Sequence, residues 1–232
     1  MSTLYRLFLR SQLVRGRVIG LGSLGLLAVL LGFAVGATDG AGPRDAAQLV
    51  SGFGLALFVP VTVLVFASAV LGDPNEDGTL VYLWLRPVAR WHMAVAAFAA
   101  TLTICLPLIV VPMVVSAALA GDTELVLATV ASCGIATVAY AGVFTWLGLR
   151  VKRALVWGLA YIMIWEGFVA RAGATPARFS IRASTRSLLG TVADGPRDFV
   201  ELSAAAAVAI PLVAAAIGLV LTVRRLTTQD VA

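Results

Sequence analysis

Three carboxylates crowd into one short stretch, Asp73, Glu76 and Asp77, directly before Gly78. Acidic groups at that density can hold a hard cation or meet a basic partner. Asp73, Asn75, Asp77 and Gly78 match the first half of an EF-hand loop, but the twelfth position, which must bring a bidentate Glu, is Trp84. The calcium chemistry fails on that residue. Lys152 is preceded by Val151 rather than Gly, so no Walker A loop exists and the chain has no ATPase site. His92, Cys105 and Cys133 are too few for a Cys/His zinc centre or a disulfide framework, and no thiol or hydroxyl stands beside a base and an orienting acid. We therefore assign no catalytic residue and no metal ligand. Glu166 lies in an otherwise apolar run, where an ionisable residue is by default a functional candidate. Pairing with Arg171, contact with cargo, and snorkelling to the interface are its three open roles, the last the commonest for such a position.

The elements that must position these groups are set by composition. Of 232 residues, 60% are apolar and 12% are charged, and the mean hydropathy is +0.98; soluble domains carry about twice that charge. A helix needs roughly 20 apolar residues to cross a hydrocarbon core. The spacing predicts spans over 18–37, 49–72, 91–120, 125–149, 154–170 and 200–223, the fifth being the shortest. An all-α polytopic membrane protein with six transmembrane helices follows, as one transmembrane domain over 1–232. The first run is long, follows an arginine-bearing stretch and lacks a cleavage-like end, so it is read as a retained helix rather than a signal peptide. Before it, Leu4, Leu7, Phe8 and Val14 recur at helical spacing with Arg6, Arg10 and Arg17 elsewhere, which predicts an amphipathic interfacial helix over 3–16.

Basic residues orient the spans, because Lys and Arg near helix ends stay on the inner side. Arg6, Arg10, Arg15 and Arg17, then Arg86 and Arg90, then Arg150, Lys152 and Arg153, and finally Arg224 and Arg225 all fall on one side of the six-span scheme. Both termini are therefore expected in the cytoplasm. Arg44 and the segment carrying Arg171, Arg178, Arg182, Arg186 and Arg197 fall on the other side, an exception that a long translocated loop tolerates. Trp84, Trp91, Trp146 and Trp157 fit the inner interface and Trp165 the outer one. The net charge of +5 is thus a topology signal and gives no reason to invoke nucleic acid.

Family patterns sharpen the loop between spans two and three, residues 73–90. The acidic-Gly string is similar to the start of the motif in membrane enzymes that transfer phosphoalcohols from CDP-linked donors, but those need a second aspartate pair on the next helix, and the third span has no acidic residue. A different pattern fits. An acidic residue, Gly-Thr-Leu, a short hydrophobic turn, and then Pro-Val-x-Arg opening a long span resembles the first cytoplasmic loop of ABC-2 type transporter permeases, carried here by Glu76, Gly78, Thr79, Leu80, Pro87, Val88 and Arg90. The resemblance extends over the whole chain, through the amphipathic N-terminal helix, the six spans and the long segment between spans five and six. Ala96 and Ala97 stand where the family often has Gly-Lys, a departure that bears on the subfamily.

What the resemblance implies is an ABC-2 (type V exporter-like) architecture, with a coupling loop at 73–90 and an outer re-entrant segment at 171–199. It implies a permease subunit of an ATP-driven exporter, working with a second permease copy or a paralogue. ATP and Mg would be held by a separate cytoplasmic ABC ATPase subunit, and this chain would hold no cofactor. Asp73, Glu76, Asp77, Gly78, Thr79, Leu80, Arg86, Pro87 and Arg90 are the expected coupling residues. In the outer segment Arg178, Arg182 and Arg186, four residues apart, would form one basic stripe on a helix, with Phe179 and Leu189 beside it; a solvated face and a site for anionic headgroups are both open readings. A path lined by Val, Ala, Leu and Phe suits a hydrophobic or amphipathic drug, antibiotic, lipid or glycolipid. Alanine, valine, glycine and arginine in excess with a single lysine suggest a GC-rich bacterial coding sequence and a plasma-membrane location. An ATP-independent carrier or channel is the alternative, disfavoured because the spans offer essentially Glu166 as a buried ionisable group; a membrane enzyme lacks the residues.

Pro60, Pro107, Pro112 and Pro211 are expected kink positions, Gly16 and Gly20 with Gly32 and Gly36 expected close-contact positions on the first span, and Cys105 and Cys133 expected apolar filler.

Overall fold

The computed structural model describes residues 2–38, 42–79, 89–120, 123–169, 177–192 and 202–228. Among them every regular element is a helix. We label them α1 (Ser2–Gln12), α2 (Arg15–Gly36), α3 (Pro43–Glu76), α4 (Arg90–Leu119), α5 (Thr123–Arg150), α6 (Ala154–Glu166), α7 (Ile181–Val192) and α8 (Ala204–Thr228). By length and composition α2, α3, α4, α5 and α8 can cross a membrane. The expected fifth span is the departure: α6 is apolar but stops at Glu166, 7 residues of α-helix followed by 6 wound as π-helix. At 1.5 Å per residue it is about 20 Å long, short of the roughly 30 Å a straight span covers. The carboxylate at its end has been drawn inward, and the helix stops with it.

The centre of the bundle is α5, in contact with α3, α4, α7 and α8. Lipid tails are as apolar as Leu, so helices in a membrane gain most from backbones that approach closely, which small residues permit. A methyl group built on Gly142 would meet the backbone of Ala215 on α8 at 2.6 Å, and one on Gly72 would meet the carbonyl oxygen of Gly148 at 3.1 Å. Around these crossings pack the fully buried Phe58, Phe66, Leu64, Ile109, Met113, Tyr140 and Phe144. Cys105 and Cys133 are free and completely buried in the same core, as small apolar filler. Four of the hydroxyls inside it are satisfied locally: Ser68, Thr137, Thr145 and Thr222 each donate to the carbonyl four residues earlier.

Gly32 and Gly36 abut the backbone of Ser116 and Leu119 on α4, so this pair forms the expected close contact. Gly16 and Gly20 face open space and form none. Pro60 follows a π-helical stretch, Val50–Phe58, within α3. A proline ring clashes with the carbonyl four residues before it, and a wider winding upstream relieves that clash. Pro107 and Pro112 lie inside α4 and Pro211 inside α8.

The N-terminal helix runs over Ser2–Gln12, ending short of position 16 where the expected range closed, and is docked on the bundle. Leu4 and Phe8 are buried against Val70, Leu71, Met93, Ala94, Ala97 and Leu226. Tyr5 Oη donates to Thr103 Oγ1 at 2.9 Å, and the buried Gln12 Nε2 donates to Thr101 Oγ1 at 3.0 Å. Its apolar stripe is thus shared: Leu4 and Phe8 face protein, whereas Leu7, Leu13 and Val14 are exposed.

Candidate functional site

The end of α3 builds the acidic site. Its last turn carries Pro74, Asn75 and Glu76, and the chain leaves it through Gly78 at φ +67°. A left-handed residue one past the C-cap costs glycine no Cβ clash. The Gly78 N–H donates to the carbonyl of Asn75 at 3.4 Å and the Thr79 N–H to that of Pro74 at 2.9 Å, the paired bonds of a Schellman stop. Gly78 therefore stands in the loop motif as a helix terminator.

Each flanking carboxylate is tied to a different helix. Arg17 Nη2, in the first turn of α2, donates to Asp73 Oδ2 at 2.7 Å. The Arg153 backbone N–H, at the entry to α6, donates to Glu76 Oε1 at 2.7 Å. Arg90, the first residue of α4, donates through Nη1 to the carbonyl of Leu226 in the last turn of α8 at 2.8 Å, where a cation also complements the helix dipole. Asp77 and Thr79 are exposed. Of the expected coupling residues, then, Asp73, Glu76 and Arg90 gather at one end of the bundle and brace it, while Asp77, Gly78 and Thr79 project. Leu80, Arg86 and Pro87 lie outside the described residues. Arg17 and Arg153 are partners that sequence reasoning did not select. Position in the first turn of a span is the only sequence signal for Arg17, and Arg153, bonded through its backbone, leaves none.

A second polar cluster lies at the other end of α6. Glu166 is 3% exposed, so it does not snorkel to water; Arg171, its expected partner, lies outside the described residues. Its carboxylate accepts from Ser180 Oγ at 2.5 Å, from the Ile181 N–H at 3.2 Å, from the Arg182 N–H at 3.3 Å and from Tyr161 Oη at 3.4 Å. Ser180 in turn accepts the Ala183 N–H on its own Oγ at 3.0 Å. Ser180 is thus the N-cap of α7, and Glu166 supplies negative charge where the first amides of that helix are otherwise unpaired. Tyr140 stacks on Phe144 with centroids 5.5 Å apart, and Phe144 meets Tyr161 edge-on at 6.1 Å, an aromatic wall beside the carboxylate. A serine directly before an amphipathic run was the available signal for this cap.

The basic stripe is broken by the same geometry. Because α7 starts at Ile181, Arg178 stands in the preceding turn and is exposed, while Arg182 and Arg186 lie on the helix, half-buried and engaged. Phe179 is exposed and Leu189 is buried. Among the described residues no group of His, Cys, Asp and Glu side chains comes together as a metal site. The described residues thus form an acidic, braced end beside the entry to α6 and a buried, capped junction at its exit.

Compared with known proteins, residues 10–171 match a family model described as ABC-2 family transporter protein. A search of the curated proteins found no match.

Proposed function

Because the chain belongs to the ABC-2 family of transporter proteins, as the permease component of an ABC-type transporter, we propose that it is the permease subunit of an ATP-driven exporter whose projecting end of α3 docks a separate cytoplasmic ATPase. The observation that carries this reading is the braced acidic end. A loop that transmits a partner's closure must be stiff at its base and accessible at its tip. Asp73 and Glu76 fix the base to α2 and α6, and Asp77 with Thr79 offers the exposed tip. ATP and Mg belong to the partner, since this chain has no phosphate loop.

Six crossings fit the chain path. The bond from Arg90 to Leu226, between the start of α4 and the end of α8, supports this reading, in which α6 is the short fifth crossing and α7 lies in the outer half. The arginine-rich end, with both termini, is then cytoplasmic by the positive-inside rule, and the membrane is a bacterial plasma membrane on the coding bias. A second copy or a paralogue completes the path, because one copy is a small bundle centred on α5. Cargo is hydrophobic or amphipathic: the outward surfaces of α2, α6 and α8 expose large apolar side chains such as Phe33, Met163, Ile164 and Val213.

Affinity purification of the tagged chain in mild detergent tests the proposal. Recovery of a stoichiometric cytoplasmic ATPase, lost in Asp77→Lys with the fold intact, is the expected result. Recovery of the chain alone, from membranes where known ABC complexes survive, together with ion-gradient-driven uptake by the purified chain, would replace it with an ATP-independent carrier.

A further inference from the structure

The helix α6 touches the rest of the protein in an unusual way. Its buried residues are Ala154, Gly158, Ile162 and Glu166, one every fourth position. Leu155, Val156, Trp157, Leu159, Met163 and Ile164 are exposed. A single thin stripe therefore rests on the bundle, and its first two members are small. Gly158 lies against the side chain of Leu64 on α3, where any Cβ would collide. The first half of α6 thus rests on the bundle through small residues, while in its second half Ile162 is buried in the core and Tyr161 meets Phe144 edge-on.

Both ends, by contrast, are clasped by carboxylates. At the entry, Glu76 Oε1 at the end of α3 takes the Arg153 N–H. At the exit, Glu166 takes Ser180 Oγ and the first two amides of α7. The two clasps belong to different helices at opposite ends of α6, which joins them as one continuous helix about 20 Å long. A helix is stiff along its axis because every turn is closed by hydrogen bonds, so a load applied at Arg153 arrives at Glu166 with little loss.

We propose that α6 is a connecting rod, with Glu76 and Glu166 as the positioning residues that couple the end of α3 to the N-terminus of α7. The proposal deepens the permease reading and rests on it for its purpose, since the load would come from an ATPase at the acidic loop and be delivered to the outer segment. The mechanical link itself belongs to the chain alone and does not need the partner. Its π-helical second half, Tyr161–Glu166, turns the carboxylate inward at the point of delivery.

Hydrogen–deuterium exchange of the purified full chain in lipid nanodiscs tests it without nucleotide or partner. In Glu76→Ala, exchange at the Ile181 and Arg182 amides should rise roughly fivefold or more, the lower end of coupling between linked sites. Coupling is reciprocal, so Glu166→Gln should raise exchange at the Arg153 amide. Asp73→Ala is the control: it frees Arg17 on α2 and should leave both places unchanged. A rise in Glu76→Ala confined to the α6 entry, with Ile181 and Arg182 as in the parent chain, overturns the rod. If Glu76→Ala does not yield folded protein, Glu76→Gln, which keeps a neutral acceptor, must show a smaller rise at the same two amides, and no rise there overturns the rod equally. Recovery of the chain alone together with ion-gradient-driven uptake would overturn the ATP-driven exporter proposal and leave this result standing.

Discussion

The Arg153 N–H reaches Glu76 Oε1 at 2.7 Å across 77 positions of sequence, and Arg153 makes that bond from a left-handed backbone, φ 56° and ψ 46°. The tight turn from α5 into α6 is strained at this residue, and the carboxylate rewards the strained conformation. For an L-residue other than glycine the left-handed region costs about 1–2 kcal/mol.

Arg153→Gly should therefore stabilise the protein. Glycine removes the Cβ clash, keeps the N–H that Glu76 accepts, and gives back about 0.5–1 kcal/mol through its freer unfolded chain. A net gain of about 0.5–1 kcal/mol is expected, read as a raised Tm in detergent. A lowered Tm would mean that the arginine side chain holds the turn.

Gly78 is the complementary case. At φ +67°, Gly78→Ala should cost about 1 kcal/mol and fray the last turn of α3, whereas Gly78→Asn should cost less, because Asn tolerates the left-handed region. Limited proteolysis at the α3 end, compared between the two variants, checks the order.

Glu166 is buried among donors that have no water to fall back on. Glu166→Ala should destabilise by at least about 2 kcal/mol, since each buried donor left unpaired costs about 1–3 kcal/mol. Glu166→Gln keeps one carbonyl acceptor and should recover about half of that loss. Equal melting of Ala and Gln variants would show that the carboxylate, and not its hydrogen-bonding shape, holds α7.

The glycines of α2 predict opposite outcomes on one helix. Gly32→Ala drives a methyl into the backbone of Ser116 and should cost about 1–3 kcal/mol as an overpacked crossing. Gly20→Ala meets nothing within 4 Å and should gain a few tenths up to about 1 kcal/mol from helix propensity. Thermal unfolding of the two single variants, side by side, separates packing from propensity.

Much of the fold was legible because the signals are local. Runs of apolar residues announce spans whatever they pack against, and the α1 stripe of Leu4, Leu7 and Phe8 announces an amphipathic helix. The carboxylates of the acidic loop were visible for the same reason. Their partners were not, since Arg17 pairs with Asp73 across 56 positions and Arg153 uses an atom every residue possesses. Gly20 and Gly32 look alike in sequence, and only the path of α4 distinguishes them. Glu166 looked like an interfacial residue until Ser180 and the α7 amides were found around it.

The sequence by itself determined the solvent, the helical class, the long apolar spans and the acidic projection before α4, because hydropathy and helical period act within a single segment. Tertiary structure decided which face of each helix is inside, that α6 stops short at Glu166, and that Asp73, Glu76 and Arg90 brace one end. Those outcomes depend on donors and acceptors that meet only when distant helices pack. In a medium that offers no water to unpaired groups, such meetings fix where a helix can end.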